Sequence, residues 1–437
     1  MSKISRQFNI DTLKLKLFSS TLLKSSVVFI LINFINKAFP FILLPLFTRA
    51  LSLTDYGTFA LYRATSNFFI PLVGLSMSEA IVRNYYEKGK LDFGLYIGNV
   101  ILMNFTTAIV YVFIIFSTGN FFPDMFGLPK YILLLVVMYG FFSAINNAQR
   151  GLLRCENNNK SFAIQVLGQS VLYFAIILLT YYVNLFSLKN SIYAEAFVFL
   201  IFGSISLYFL KYKFKLRLHL NKKYLKEIFH YSIPLLINSL LAYTFALSDR
   251  FIMNHKLNIE QVAIYSASFQ ITSVTQILAA SLNAAWLPWV YEQMTKKVSF
   301  MKIFKIQVLI AIFYILIGIF YWIFLYYFLT IIIGHKYDNG KIFMHWFIGS
   351  NILQGFYWLL TPIVQYYKKN WLLVISSSVA LVSSLVLNLL FMKKMGIEFA
   401  AFVNFSSWLI IFLLTLFNVF KLIKKQKNEE IGHSIVM

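Results

Sequence analysis

Twelve runs of predominantly apolar residues dominate this chain and constrain its fold more than any other feature. A helix needs about 20 such residues to cross the hydrocarbon core of a bilayer. Spanning segments must satisfy their own backbone hydrogen bonds, which favours helices over open strands. The runs therefore predict an all-α polytopic membrane protein. Their approximate limits are 25–47, 56–81, 94–116, 131–149, 162–183, 192–210, 229–252, 262–290, 304–333, 342–366, 371–392 and 399–420.

The composition agrees with a membrane protein. Of the 437 residues, 59% are hydrophobic and 13% are charged, whereas soluble domains carry roughly 25% charged residues. A further feature is the aromatic content of 19%. This balance leaves too little polar surface to cover a soluble globule, and the connections between the runs are too short to fold as separate soluble domains.

The basic residues predict how the helices are oriented. Most of the 39 Lys and Arg residues lie in the N-terminal segment and in every second connection, as the positive-inside rule expects of cytoplasmic segments. Both termini are therefore expected in the cytoplasm, and this rule explains the net charge of +23 better than nucleic-acid binding does. The basic cytoplasmic linker 211–228 divides an N-terminal six-helix lobe, 1–210, from a C-terminal six-helix lobe with a basic cytoplasmic tail, 229–437.

A weak internal repeat supports two related halves. Residues 51–64 align without gaps with residues 257–270. Because six spans per half keep the two copies parallel, the halves would be related by an axis along the membrane normal. We therefore predict twelve transmembrane helices in two six-helix bundles related by this pseudo-two-fold axis.

Two cations lie inside the first two apolar runs. Lys37 is roughly 18 Å into the first run at 1.5 Å per residue, close to the bilayer midplane, and Arg63 lies at a similar depth in the second. An uncompensated cation there costs about 2.5–3.5 kcal/mol on insertion scales. We therefore expect Lys37 and Arg63 to line a cavity for an anionic substrate, together with Asn33 and Asn36. Snorkelling or structural ion pairs are the alternatives.

Several charged residues near the ends of the runs are candidates for gating or ion coupling. Asp249 and Arg250 close the seventh run, and Arg49 and Asp55 occupy the corresponding corner of the first half. Such a pair at a helix end can act as a gate clasp or be an ordinary rim pair.

At the other end of the second run, Glu79 and Arg83 are four residues apart and could clasp the inner mouth, with a solvated intrahelical pair as the alternative. The six histidines are scattered without metal-ligand spacing, and the GxxxxGK[ST] phosphate-binding loop does not occur. We therefore predict no metal, no cofactor and no direct use of ATP by this chain.

Three short motifs resemble those of a known transporter family. They are an LS-x-x-(D/E)-Y-G corner at Leu51–Gly57, a D-R pair at Asp249–Arg250 and a G-x-x-Y turn at Gly334–Tyr337. Together with twelve spans in two halves, they resemble the polysaccharide transporter, O-antigen flippase-like branch of the multidrug/oligosaccharidyl-lipid/polysaccharide exporter superfamily. The resemblance covers nearly the whole chain.

The resemblance implies a flippase of the bacterial inner membrane, not an enzyme. The expected substrate is an undecaprenyl-diphosphate-linked oligosaccharide, moved from the cytoplasmic to the periplasmic leaflet by alternating access for O-antigen or capsule-type polysaccharide synthesis. Membrane lipids are expected partners, and a polysaccharide polymerase and a chain-length regulator are candidate partners. Lys37 and Arg63 match the cationic cavity of such proteins, whereas no cation is found inside spans seven to twelve.

Two other functions stay open at this point. A cation-coupled multidrug exporter of the same superfamily should carry an acid in the first-lobe cavity, where this chain has Lys37. A membrane polysaccharide polymerase should present a long outer loop with catalytic residues, but the longest outer connection here, 117–130, is short. Both features favour the flippase.

Overall fold

The computed structural model describes residues 21–296 and 298–436. The basic N-terminal segment up to residue 20 and Lys297 lie outside the described residues. The described part contains fourteen α-helices and no β-strand, which confirms the all-α prediction. The helices are α1 Thr21–Ala50, α2 Leu53–Gly74, α3 Ser78–Asn84, α4 Phe93–Ser117, α5 Phe121–Phe126, α6 Lys130–Cys155, α7 Asn159–Tyr182, α8 Leu188–Phe214, α9 Lys222–Lys256, α10 Ile259–Thr272, α11 Val274–Thr295, α12 Phe300–Ile333, α13 Met344–Tyr366 and α14 Trp371–Val436.

The helices account for the predicted apolar runs. Within the described residues, ten helices are long and apolar enough to cross a membrane, and the bent pair α2–α3 raises the number to eleven. The predicted number of twelve is not reached by length and composition alone. However, α14 is interrupted at Gly396, where φ is 77° and ψ is −166°. The predicted runs 371–392 and 399–420 lie on either side of this break.

The chain forms two compact units. Unit 1 contains the described residues up to Ile42, together with Ser66–Gly119 and Lys130–Ser239. Unit 2 contains Leu43–Thr65, Asn120–Pro129 and the chain from Leu240 onwards. The helices α1, α2 and α9 each contribute to both units. The division into lobes at 211–228 stays a prediction.

In unit 1, α6 packs against α3, α4, α7 and α8, and its buried face carries small and β-branched residues such as Ala144 and Ile145. The predicted linker is also part of this unit. A Cβ at Gly98 of α4 would lie 1.9 Å from the carbonyl oxygen of Arg217, so only glycine lets the linker backbone approach this closely. An ion pair of 2.9 Å between Arg217 and Asp92 holds the same contact.

In unit 2, α13 packs against α11, α12 and α14. Pro362 lies inside α13 and cannot donate to the carbonyl of Trp358, which would otherwise lack its helical partner. The Thr361 hydroxyl donates to this carbonyl at 3.1 Å. The side chains of Trp286 and Gln307 both donate to the next carbonyl, that of Leu359, at 2.9 Å. These bonds fix α11 and α12 against α13.

The aligned segments of the internal repeat have the same local structure. The backbone N–H of Asp55 donates to the Ser52 hydroxyl at 3.0 Å at the start of α2. At the equivalent position, the N–H of Gln261 donates to the Asn258 side chain at 2.8 Å at the start of α10. Both are N-caps, which satisfy a backbone donor that has no partner within the helix. The predicted alignment therefore matches the two helix starts residue for residue.

Candidate functional site

Lys37 lies in the unit 1 part of α1 and is exposed. At about 100° per residue, the exposed apolar residues Leu31, Ile35 and Ile42 lie within about 40° of one another. Asn33 and Lys37 share the roughly opposite side of the helix. Lys37 therefore lies opposite these three apolar residues, although a fourth exposed apolar side chain, Phe34, is only about 60° from it. Within the described residues, no carboxylate forms an ion pair with Lys37.

The two predicted asparagines have different roles. The Asn33 amide donates to the carbonyl of Phe29 at 2.9 Å, one turn earlier in the same helix. The Asn36 side chain accepts a hydrogen bond from the Ser170 hydroxyl of α7. Asn36 therefore links α1 to α7 by a hydrogen bond. This contact fixes the position of the backbone at the neighbouring Lys37.

Arg63 lies in the unit 2 part of α2 and is half-buried. Its guanidinium carbon is 5.8 Å from the centre of the Phe59 ring, within the range of a cation–π contact. Lys37 and Arg63 therefore belong to different compact units. Their common role in one cavity stays a proposal.

A reciprocal contact joins the ends of α1 and α12 in unit 2. The Arg49 guanidinium donates to the carbonyl of Ile331. The Lys336 ammonium donates in turn to the carbonyls of Leu51 and Arg49, at 2.9 and 3.3 Å. The last carbonyls of a helix lack partners and carry the negative end of the helix dipole, which favours cations there. We call this four-residue contact, formed by Arg49, Leu51, Ile331 and Lys336, the corner clasp.

The turn that carries Lys336 is held by an acidic residue. The Asp338 carboxylate accepts from the Thr330 hydroxyl and lies 3.3 Å from the Lys341 ammonium and 3.2 Å from His335. Partial desolvation raises the pKa of Asp338, but these hydrogen bonds outweigh it and bring the pKa below its ordinary value. In the same turn, burial raises the pKa of the Tyr337 phenol.

The LS-x-x-D-Y-G corner packs closely against the second half of the chain. A Cβ at Gly57 would lie 2.2 Å from the carbonyl oxygen of Ile259. The fully enclosed Tyr56 lies edge-on to the Tyr337 ring at 5.7 Å, and its hydroxyl is 3.4 Å from the Gln270 amide oxygen. The motif is therefore a packing and capping element, and Asp55 accepts a hydrogen bond from the Ser52 hydroxyl at 2.8 Å.

Asp249 and Arg250 are buried inside α9, at 6% and 7% exposure. Their side chains form an ion pair of 3.1 Å, and the Tyr265 hydroxyl also donates to Asp249. The guanidinium carbon lies 4.9 Å from the Phe269 ring. Because α9 continues to Lys256, Arg250 is a buried cation within a helix of the second half.

Glu79 and Arg83 are both exposed in unit 1. Within the described residues no ion pair joins them. Instead, the Arg83 guanidinium carbon lies 5.2 Å from the ring of Tyr231 in α9. The structure therefore does not bring the two charges of this candidate pair together.

Two charged residues were missed by reasoning from the sequence. Glu195 of α8 lies in an apolar run and is 3% exposed. Arg150 was assigned to a cytoplasmic connection, but α6 extends to Cys155 and places Arg150 within the helix. Its Nε donates to the Gln165 side chain at 2.9 Å, and its Nη2 donates to Gln169. In the sequence, the helical spacing of the polar residues Asn146, Gln149 and Arg150 could have indicated that α6 continues past residue 149.

The described residues contain no group of three or more His, Cys, Asp or Glu side chains that could hold a metal ion.

A family model described as "Polysaccharide biosynthesis protein" matches residues 22–294. The chain belongs to this polysaccharide biosynthesis protein family. It is 24% identical over 377 residues to a protein of the Lsg locus of Haemophilus influenzae, covering 83% of this chain and 90% of that protein. A second Haemophilus influenzae relative, an uncharacterised membrane protein, is 22% identical over 287 residues, covering 63% of this chain and 66% of the relative.

Solved structures show the fold of this family member. The lipid II flippase MurJ in an inward closed conformation matches with a TM-score of 0.71 and 15% identity, covering 91% of this chain and 87% of that one. An inward-facing multidrug resistance MATE transporter of the MOP superfamily matches with a TM-score of 0.62 and 14% identity, covering 90% of this chain and 95% of that one. The predicted resemblance to this superfamily is confirmed, and the chain is a multi-pass membrane protein.

Proposed function

We propose that this protein is a flippase for an undecaprenyl-diphosphate-linked oligosaccharide. It would move this lipid from the cytoplasmic to the periplasmic leaflet by alternating access, for O-antigen or capsule-type polysaccharide synthesis. The observation that carries the proposal is Lys37, an exposed cation that lies opposite Leu31, Ile35 and Ile42 on α1 and has no carboxylate partner among the described residues. The family, with its polysaccharide biosynthesis description, supports the same role.

Electrostatics explain why an anion is the expected ligand. A cation without a partner in the membrane interior is costly, and a diphosphate group would offset that cost when it binds. Binding and conformational change are then coupled, because the conformation that best surrounds the anion becomes the more stable one. Arg63 is the second proposed cation, since a guanidinium forms paired hydrogen bonds with phosphate.

The proposed orientation places both termini in the cytoplasm of a bacterial inner-membrane protein. The corner clasp and the Gly57 contact would then close the periplasmic end, with Asp249 and Arg250 as a fixed part of that closure. Membrane lipids surround the protein, and a polysaccharide polymerase and a chain-length regulator are the proposed partners in the same membrane.

The test is to replace the proposed cations and measure surface glycan and lipid-linked intermediates. Lys37→Ala and Arg63→Ala should each abolish surface polysaccharide at normal membrane abundance, and the lipid-linked repeat should accumulate on the cytoplasmic leaflet. Lys189→Ala, at the start of α8, is the matched control and should display glycan normally. Normal glycan display in both cavity variants would contradict the proposal.

A cation-coupled exporter is the second candidate, and the buried Glu195 favours it, since such a protein needs an acid in its first half. If this residue couples ion movement to transport, Glu195→Gln should abolish ion-dependent efflux of cationic dyes from proteoliposomes while the purified protein stays folded. A wild-type protein that shows no dye efflux would remove this candidate.

A further inference from the structure

The strongest unexplained feature of unit 1 is a polar layer that directly follows an apolar cluster. Ile32, Leu153, Phe162 and Val166 form a buried apolar cluster between α1, α6 and α7. One helical turn away from this cluster, later in the chain on α1 and α7 and earlier on α6, polar residues replace apolar ones. This polar layer consists of Asn36 and Lys37 on α1, Gln149 and Arg150 on α6, and Gln169 and Ser170 on α7.

The packing of α1 on α7 fixes the level of Lys37 within this layer. The rings of Phe29 and Phe162 are 4.8 Å apart, and those of Phe39 and Phe174 are 5.9 Å apart. The two helices therefore run in parallel with a nearly constant register.

The hydrogen bond between Ser170 and Asn36 lies between these two aromatic pairs. Arg150 contacts Gln165 and Gln169, so its guanidinium lies near the level of residue 33 of α1. This is roughly 6 Å along the axis from the Cα of Lys37. Because helical side chains lean towards the helix N-terminus, the Lys37 ammonium reaches the level of the guanidinium.

The chemistry of the layer is that of an anion site. Within the described residues no carboxylate forms an ion pair with Arg150. Its two hydrogen bonds go to neutral glutamine oxygens and use two of the five donors of the guanidinium. Gln169 is 5% exposed, and its Nε2 has no hydrogen-bond partner among the described residues. The layer thus holds two cations and a buried amide donor without a compensating negative charge.

We propose that Arg150 is a further anion-binding residue, which contacts the same diphosphate group as Lys37. This inference rests on the proposed function but concerns a residue on a different helix. Gln165 and Gln169 position the guanidinium, and they are held in turn by other side chains. Gln165 donates to Ser206 at 3.2 Å, and Ser206 donates to Gln149 at 2.6 Å. The shared chemistry of the ligand is a diphosphate, either free or attached to a lipid.

The experiment measures thermal unfolding of the purified full-length protein in detergent. The probes are inorganic pyrophosphate and farnesyl diphosphate, with farnesol as the phosphate-free control. A diphosphate should raise the unfolding temperature of the wild type in a concentration-dependent way. Arg150→Gln and Lys37→Ala should each weaken this apparent affinity about tenfold or more, since each removes a charged hydrogen-bond donor. A response to farnesyl diphosphate alone would identify a lipid-linked ligand, and a response to both probes would show that the diphosphate group suffices.

Two further variants separate ligand binding from a structural role. Arg154→Gln removes the same charge one turn away on α6, where the side chain is exposed, and should bind diphosphate like the wild type. Gln169→Glu places a carboxylate next to Arg150 with almost no change of shape. It should satisfy the guanidinium and preserve the unfolding temperature without ligand, yet abolish the shift caused by diphosphate.

Wild-type affinity in Arg150→Gln together with loss of binding in Lys37→Ala would overturn the role of Arg150 and leave the proposed function standing. Unchanged diphosphate binding in Gln169→Glu would overturn it in the same way. A wild type that responds to neither diphosphate would overturn both.

Discussion

Gly57→Ala should open the contact between the LS-x-x-D-Y-G corner and α10. The added methyl group would lie 2.2 Å from the carbonyl oxygen of Ile259, about 1 Å closer than ordinary van der Waals contact. Both partners are backbone groups near the starts of helices, so no flexible side chain can move aside. The two helix starts must therefore separate.

The magnitude follows from the cost of overpacking, which is typically about 1–3 kcal/mol. A contact this short between rigid groups belongs at the upper end, at about 3 kcal/mol. Since 1.4 kcal/mol corresponds to a factor of ten, the equilibrium between closed and open corner should shift by about 150-fold. The open form should become readily detectable even if it is rare in the wild type.

The assay uses a single reporter cysteine in the purified protein. Cys155 is the one cysteine of the chain, so Cys155→Ser provides the background. Ser266→Cys is the reporter, because Ser266 is 7% exposed and lies on α10 between the Ile259 and Gln270 contacts. The rate of reaction with a water-soluble maleimide should rise strongly in Gly57→Ala.

The matched control is Gly89→Ala, where an added Cβ meets no atom within 4 Å. It should react at the wild-type rate. An unchanged labelling rate in a folded Gly57→Ala protein would refute the reasoning, since the corner would then accommodate a methyl group without opening.

Two further predictions concern charged groups of unit 2. Asp249→Ala should destabilise the protein by about 3–5 kcal/mol, because it leaves Arg250 as an uncompensated buried charge; a change below 1 kcal/mol in chemical unfolding would contradict this. For Asp338, the folded-state pKa lies below the ordinary value, so its stabilising effect on the turn is present above the pKa of the unfolded chain and is lost as the pH falls through the folded-state pKa. The unfolding temperature of the wild type should therefore fall more steeply as the pH drops below about 4 than that of Asp338→Asn, and identical pH profiles for the two proteins would contradict this.

The helix positions and several local contacts could be predicted from the sequence. Each predicted apolar run has a helix, because the bilayer-length criterion depends on neighbouring residues only. The matching N-caps at Ser52 and Asn258 are also local, since a capping side chain bonds a backbone group three residues away. The isolated position of Lys37 was visible because no acid lies within its run.

Other parts of the candidate site depended on contacts that sequence patterns do not contain. Arg150 looked like a loop cation because the pattern could not show that α6 continues and that glutamines of α7 meet it. Glu79 and Arg83 have the spacing of a helical ion pair. The Arg83 guanidinium instead contacts the ring of Tyr231, which is distant in the sequence. Partners of this kind are separated by many residues, and local spacing carries no information about them.

The sequence by itself determined that this protein crosses a membrane, where its helices lie and which family it resembles. These properties follow from hydrophobic length, capping chemistry and short motifs, all of which are local. Only the tertiary structure decided which charged side chains are buried and which groups they contact. Arg250 is neutralised by Asp249 beneath aromatic rings, Arg49 caps the distant helix α12, and Lys37 keeps no carboxylate partner among the described residues. Burial and partners are set by helix packing, so only packing separates a structural cation from one available to a ligand.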